Sequence, residues 1–137
     1  MYRMLRLAFL AVLISAVAIA DVIRDGTLRA ESQTAGVFVQ WVSDNETNIA
    51  SYMVERTVTG SADAFVVIQR IPAKGSGAQY SFLDYTAFKT TDSFYRYRVT
   101  PLDVSGNAGG PAKYTQLIRS SVSSVRRTWG SIKAMFR

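Results

Sequence analysis

Residues 93–110, Ser-Phe-Tyr-Arg-Tyr-Arg-Val-Thr-Pro-Leu-Asp-Val-Ser-Gly-Asn-Ala-Gly-Gly, are the stretch on which the reading of the fold turns. Residues 95–99 alternate strictly, with Tyr95, Tyr97 and Val99 on one face and Arg96 and Arg98 on the other. That is the period of a strand that packs on one side and meets water on the other. The run breaks at Pro101 and gives way to Ser105, Gly106 and Asn107, residues that favour turns. The chain is therefore expected to double back as an antiparallel neighbour.

The same pattern recurs on both sides of this stretch. Residues 79–84 alternate with Tyr80 and Phe82 in phase, and residues 65–71 form a nearly continuous apolar run closed by Pro72. Ile49 and then Tyr52, Val54 and Arg56 mark another strand, and Val37, Val39 and Trp41 alternate with Phe38, Gln40 and Val42. A weakly patterned first edge strand is expected within 21–33, and residues 112–119 supply the last one. Seven short strands with turns every eight to twelve residues read as an antiparallel β-sandwich.

The 137 residues include no His and no Cys. Without imidazole or thiol there is no Ser-His-Asp or Cys-His nucleophile, no nitrogen/sulfur zinc site and no disulfide framework. The ten acids are scattered singly, and no Gly-rich phosphate loop is present. Neither an enzymatic activity nor a cofactor or metal is expected. The acids near residue 44 lack the spacing of a calcium loop, so residues 43–48 read as a solvated turn.

The formal charge of +6 is unevenly distributed. Residues 1–103 hold ten basic and ten acidic side chains, and after Asp103 no acid remains, so Lys113, Arg119, Arg126, Arg127, Lys133 and Arg137 supply the whole excess. A neutral domain with a basic tail points to a terminal contact rather than a basic groove.

At the other end, Arg3 and Arg6 precede an apolar run over 7–20 broken only by Ser15, and Ala18-Ile19-Ala20 places small residues where a signal peptidase reads. This is the pattern of a secretory signal peptide over 1–20. Fourteen residues reach about 21 Å as a helix, short of the ~30 Å of a hydrocarbon core, which weighs against an uncleaved membrane anchor. The protein is expected to be secreted, periplasmic or at the cell surface.

The strand residues resemble the fibronectin type III family, in the variant common in exported bacterial proteins. Tyr95, Tyr97, Val99 and Gly106 match its sixth strand and turn, with Pro101 departing at a position that is usually alanine. Val37, Val39 and Trp41 match its second strand, and Ile49, Tyr52 and Val54 the start of its third. The resemblance implies a seven-stranded antiparallel β-sandwich over 21–119, in which Tyr95 sits in the core as a corner tyrosine with its hydroxyl on backbone. It also implies adhesion, spacing or docking, with the loops at either end as the usual contacts. Asp44, Asn45, Glu46 and Asn107 are the loop candidates here.

Residues 120–137 follow a different period. Ile118, Val122, Val125, Trp129, Ile132 and Phe136 are spaced by four, three, four, three and four, one apolar stripe on a helix, with Arg126, Arg127 and Lys133 off the stripe. A short basic amphipathic helix is expected, in which Val122, Val125, Arg126, Arg127, Trp129, Ile132, Lys133 and Phe136 form the contact. Such a helix is marginal alone in water and needs a surface. Its own sandwich, a protein partner or second copy, and an anionic membrane all fit. Nucleic acid is not expected for an exported protein. The resulting expectation is an exported, non-catalytic interaction module docked by its tail to an envelope partner or surface, with an accessory carbohydrate-binding domain or a peripheral membrane-binding protein as alternatives. Carbohydrate binding would require a row of exposed aromatics, and the phases place nearly all of them inward or in the tail.

Overall fold

A computed structural model describes residues 21–58, 64–88 and 94–119 of the chain. The alternation at 95–99 is carried out in full there: Tyr95, Tyr97 and Val99 are buried, whereas Arg96 and Arg98 face outward. The strand that holds them, Phe94–Leu102, has neighbours on both sides. In chain order the strands are β1 (Arg29–Gln33), β2 (Gly36–Val42), β3 (Ser51–Val58), β4 (Val66–Pro72), β5 (Gln79–Asp84), β6 (Phe94–Leu102), β7 (Lys113–Tyr114) and β8 (Ile118–Arg119). A 3-10 helix at Tyr85–Phe88 is the only helix among the described residues.

Two antiparallel sheets face each other. The smaller has the order β1-β2-β5 and the larger β4-β3-β6-β7, with β8 also pairing β6. Both inner faces contribute to one core, because β2 turns Val37, Val39 and Trp41 inward while β3 and β6 turn in Tyr52, Val54, Tyr97 and Val99. At its centre Trp41 stacks on Tyr80 at 5.2 Å between ring centroids, and Tyr52 meets Trp41 edge-on at 5.5 Å. Each of these rings contributes on the order of 1.5–3 kcal/mol by leaving water, and the aromatic geometry adds about 1 kcal/mol per pair.

The all-β, two-sheet expectation holds, with three differences in detail. The last strand is two pieces, giving eight strands among the described residues rather than seven. Between them Thr115 turns inward, and its Oγ1 accepts the Tyr97 N–H at 3.0 Å, so a side chain replaces a backbone carbonyl in the ladder and the strand breaks. The first edge strand begins only at Arg29. Residues 21–28 instead lie along the end of β2, where Asp44 N–H donates to the Val22 carbonyl at 2.8 Å and Val22 and Ile23 plug the core. Third, β4 is an outer strand whose ladder shifts register opposite Val54 and Glu55. There the apolar run leaves Val66 63 % and Val67 46 % exposed. The expected tail helix over 120–137 and the leader over 1–20 lie outside the described residues.

Candidate functional site

Three of the loops singled out by sequence meet at one end, because β2, β4 and β6 all finish there. The 43–50 and 73–78 loops are tied by Glu46, whose carboxylate accepts from Tyr52 Oη at 2.9 Å, from Gly75 N–H at 2.7 Å and from Tyr80 Oη. The Glu46 N–H in turn donates to Ser76 Oγ at 2.9 Å. The third loop touches the first at Gly109, where a Cβ would lie 2.6 Å from Ile49 Cδ1.

The four loop candidates therefore divide. Asp44 is exposed and paired with Arg24 at 2.7 Å. Asn45 is exposed, with its Oδ1 accepting the Thr47 N–H at 2.9 Å in a local turn. Asn107 is exposed beyond Gly106, whose φ of 82° is the left-handed region glycine tolerates. Glu46 departs from the solvated reading, because it faces the core. Burial would raise its carboxyl, but the hydrogen bonds from Tyr80, Gly75 and Tyr52, with the Ser43 hydroxyl nearby, outweigh that and hold it below the usual range. Burial, and then the same carboxylate, push the Tyr80 hydroxyl up to about 12.

A second buried carboxylate closes the opposite end. Asp84 on β5 accepts from Arg56 Nη1 at 2.5 Å and Tyr97 Oη at 2.8 Å, both from the larger sheet, and from the hydroxyl of Thr86 at 2.7 Å. Burial acts to raise its carboxyl, and Thr86, Tyr97 and Arg56 together lower it further than burial raises it. Arg56 also lies 5.1 Å from the centre of the Tyr95 ring. Both acids thus spend their lone pairs on holding segments together.

The outer face of the larger sheet carries a cluster that sequence phases did not reveal. Arg98 forks onto Glu55 at 2.6 and 2.8 Å, and the Phe65 ring lies 4.3 Å above its guanidinium. From the opposite edge Tyr114 meets Phe65 edge-on at 5.9 Å, and Arg96 stacks on Tyr114 at 5.4 Å while donating to the Thr115 carbonyl. Tyr114 is 49 % exposed, so the expectation that nearly all aromatics face inward fails here and again at Tyr85 and Phe94. No signal in the sequence marked it, because only the order and register of the sheet bring Phe65 and Tyr114 to Arg98 and Arg96.

On the smaller sheet, an open depression of about 590 Å³ is lined by Arg29, Phe38, Gln40 and Ser81 among others. Register places Arg29, Gln40 and Ser81 in one row across three strands. The tail residues Val122, Val125, Arg126, Arg127, Trp129, Ile132, Lys133 and Phe136 lie outside the described residues. No protein-family model matches the chain, and a comparison with curated proteins found no match.

Proposed function

We propose that the protein is an exported, non-catalytic interaction module of the fibronectin type III kind, docked to a protein partner in the cell envelope by its basic amphipathic tail. The family reading is supported by the packing of a three-stranded on a five-stranded antiparallel sheet, with Trp41 on β2 and Tyr95, Tyr97 and Val99 on β6. Export is supported by the apolar run over 7–20 behind Arg3 and Arg6. The non-catalytic reading is supported by the engagement of Glu46 and Asp84 in the hydrogen bonds that join loops and sheets.

The observation that carries the docking reading is Ile118. It is the first member of the tail's apolar stripe, and it packs against the core while Arg119 beside it is exposed. β8 pairs there with the start of β6, so Ile118 lies in a strand and the expected helical stripe can begin only beyond Arg119, where the chain leaves the sandwich. The eighteen residues that follow carry Arg126, Arg127, Lys133 and Arg137 and no acid. The test is binding of the full chain to envelope fractions from cells that make it. Arg126→Glu with Arg127→Glu, or Trp129→Ser, should each weaken binding about tenfold or more, as expected for interface anchors. Stripping the envelopes with protease should abolish it. Unchanged binding by both variants removes the reading, and binding that survives stripping moves the contact to anionic lipid.

A second reading, accessory carbohydrate binding, is favoured by the depression on the smaller sheet, where Phe38 offers a ring beside the polar row of Arg29, Gln40 and Ser81. Calorimetry with soluble glucose and N-acetylglucosamine hexasaccharides tests it. Binding that Phe38→Ala eliminates would support it, and no heat with either sugar would remove it.

A further inference from the structure

We infer that the outer face of the larger sheet is a docking surface for an acidic protein segment, a contact separate from the tail. Residues 21–119 hold ten acids and ten bases, so the domain as a whole is neutral. Its charges are nonetheless segregated. Outward-facing Arg96 and Arg98 on β6 are joined on this face by Arg70, opposite Met53, and by Arg119, opposite Phe94. Glu55 is the one acid that the described residues place there, and Arg98 already holds both of its oxygens. Arg70 and Arg96 face no carboxylate among the described residues. A cationic face on a neutral body selects an acidic partner, because the field attracts one sign and repels the other.

The apolar part of the face narrows the partner to a protein. Val67 is 46 % and Tyr114 49 % exposed, and between them Phe65 lies across the sheet. Aromatic rings and arginines, with few other charged residues, are the composition that distinguishes the centre of protein interfaces. A sugar ring needs a flat aromatic platform, whereas Phe65 and Tyr114 meet at 68° with guanidinium groups stacked on their faces. Each ring is engaged by a guanidinium and by the other ring, so neither is a free apolar wedge of the kind that enters lipid. The face also runs on in sequence, through Arg119 of β8, to the four basic residues of the tail.

The test is an amide NMR titration of the full chain with a random copolymer of glutamate and tyrosine, which supplies acid and ring together. Shifts should centre on residues 65–70, 96–98 and 114. Arg96→Ser with Tyr114→Ser, and separately Arg70→Glu, which leaves the aromatic cluster intact, should each weaken binding about tenfold. Arg29→Ser with Phe38→Ser on the smaller sheet should change it by less than about twofold, as substitutions away from an interface do. Equal affinity for polyglutamate overturns the proposal, because charge alone would then account for binding. Shifts confined to the tail, abolished by Arg126→Glu with Arg127→Glu, overturn it while leaving the tail's own docking intact. The same face shifting with phosphatidylglycerol vesicles and not with the copolymer overturns it in favour of lipid.

Discussion

Tyr97 on β6 donates its hydroxyl to Asp84 on β5 at 2.8 Å, a buried hydrogen bond that crosses from one sheet to the other. Arg56 on β3 reaches the same Asp84 oxygen at 2.5 Å, so one carboxylate is gripped by two strands of the facing sheet. Removing either side of a buried charged contact leaves the other unsatisfied, which costs more than the contact itself contributes. Asp84→Asn should therefore destabilise the fold by about 3 kcal/mol, since it leaves Arg56 without its counter-charge. Tyr97→Phe, which leaves that pair intact, should cost about 1.5–2 kcal/mol. Urea unfolding of both variants checks the order, and a Tyr97→Phe cost equal to or larger than that of Asp84→Asn would contradict it.

Glu46 does for two loops what Asp84 does for two sheets. Glu46→Ala strands the hydroxyls of Tyr52 and Tyr80 and the N–H of Gly75, and should cost about 2–4 kcal/mol. Tyr52→Phe removes one donor and should cost about 1–2 kcal/mol. Hydrogen exchange at Gly75 should quicken in Glu46→Ala and stay slow in Tyr52→Phe, because the Gly75 N–H bonds to the carboxylate oxygen that Tyr52 does not use.

Acid should unfold this protein through these two carboxyls. Each is held below its ordinary value in the folded chain. Their stabilisation is therefore complete above the unfolded carboxyl range, about pH 4, and is lost as pH falls through the lower folded values. At the alkaline end Tyr80 is raised, so its contribution holds below its unfolded pKa of about 10 and is lost as pH rises toward about 12. With no His in the chain, no side chain of ordinary pKa titrates between. Melting temperature should be flat from about pH 5 to 9 and fall on both sides. A transition near pH 6 to 7 would count against this account.

Gly36 opens β2 against the end of β5. A Cβ there would sit 2.3 Å from the carbonyl oxygen of Asp84, a backbone atom that cannot swing aside. Gly36→Ala should cost about 2 kcal/mol or more, whereas Gly26→Ala, in open space at φ 72°, carries only the backbone penalty of about 1 kcal/mol. Thermal melts of the two variants decide this, and equal losses would show that the close approach at Gly36 is relieved by movement of β5.

The residues that were legible in the sequence are those whose role follows from their own period. Tyr95, Tyr97 and Val99, and likewise Val37, Val39 and Trp41, declare an inner face because the side-chain repeat of a strand is two. Glu46 could not be placed that way. Its three donors come from residues 52, 75 and 80, so its inward turn depends on how loops meet at the sandwich end. Phe65 and Tyr114 escaped for a related reason. Tyr114 is on β7 and Phe65 immediately precedes β4, at opposite edges of one sheet, and only its order and register bring their rings together beside Arg98. Thr115 split the last strand through a single side-chain hydrogen bond, a local event to which pattern is blind.

The central claim is that the tail is where this protein meets its partner, and photo-crosslinking in the cells that make it tests that claim most directly. A benzophenone amino acid replacing Trp129 should yield a discrete protein adduct in the envelope fraction, and Arg126→Glu with Arg127→Glu should abolish it. The same group replacing Phe38, on the smaller sheet, should yield none. No adduct from position 129, or the same adduct from position 38, would contradict the account.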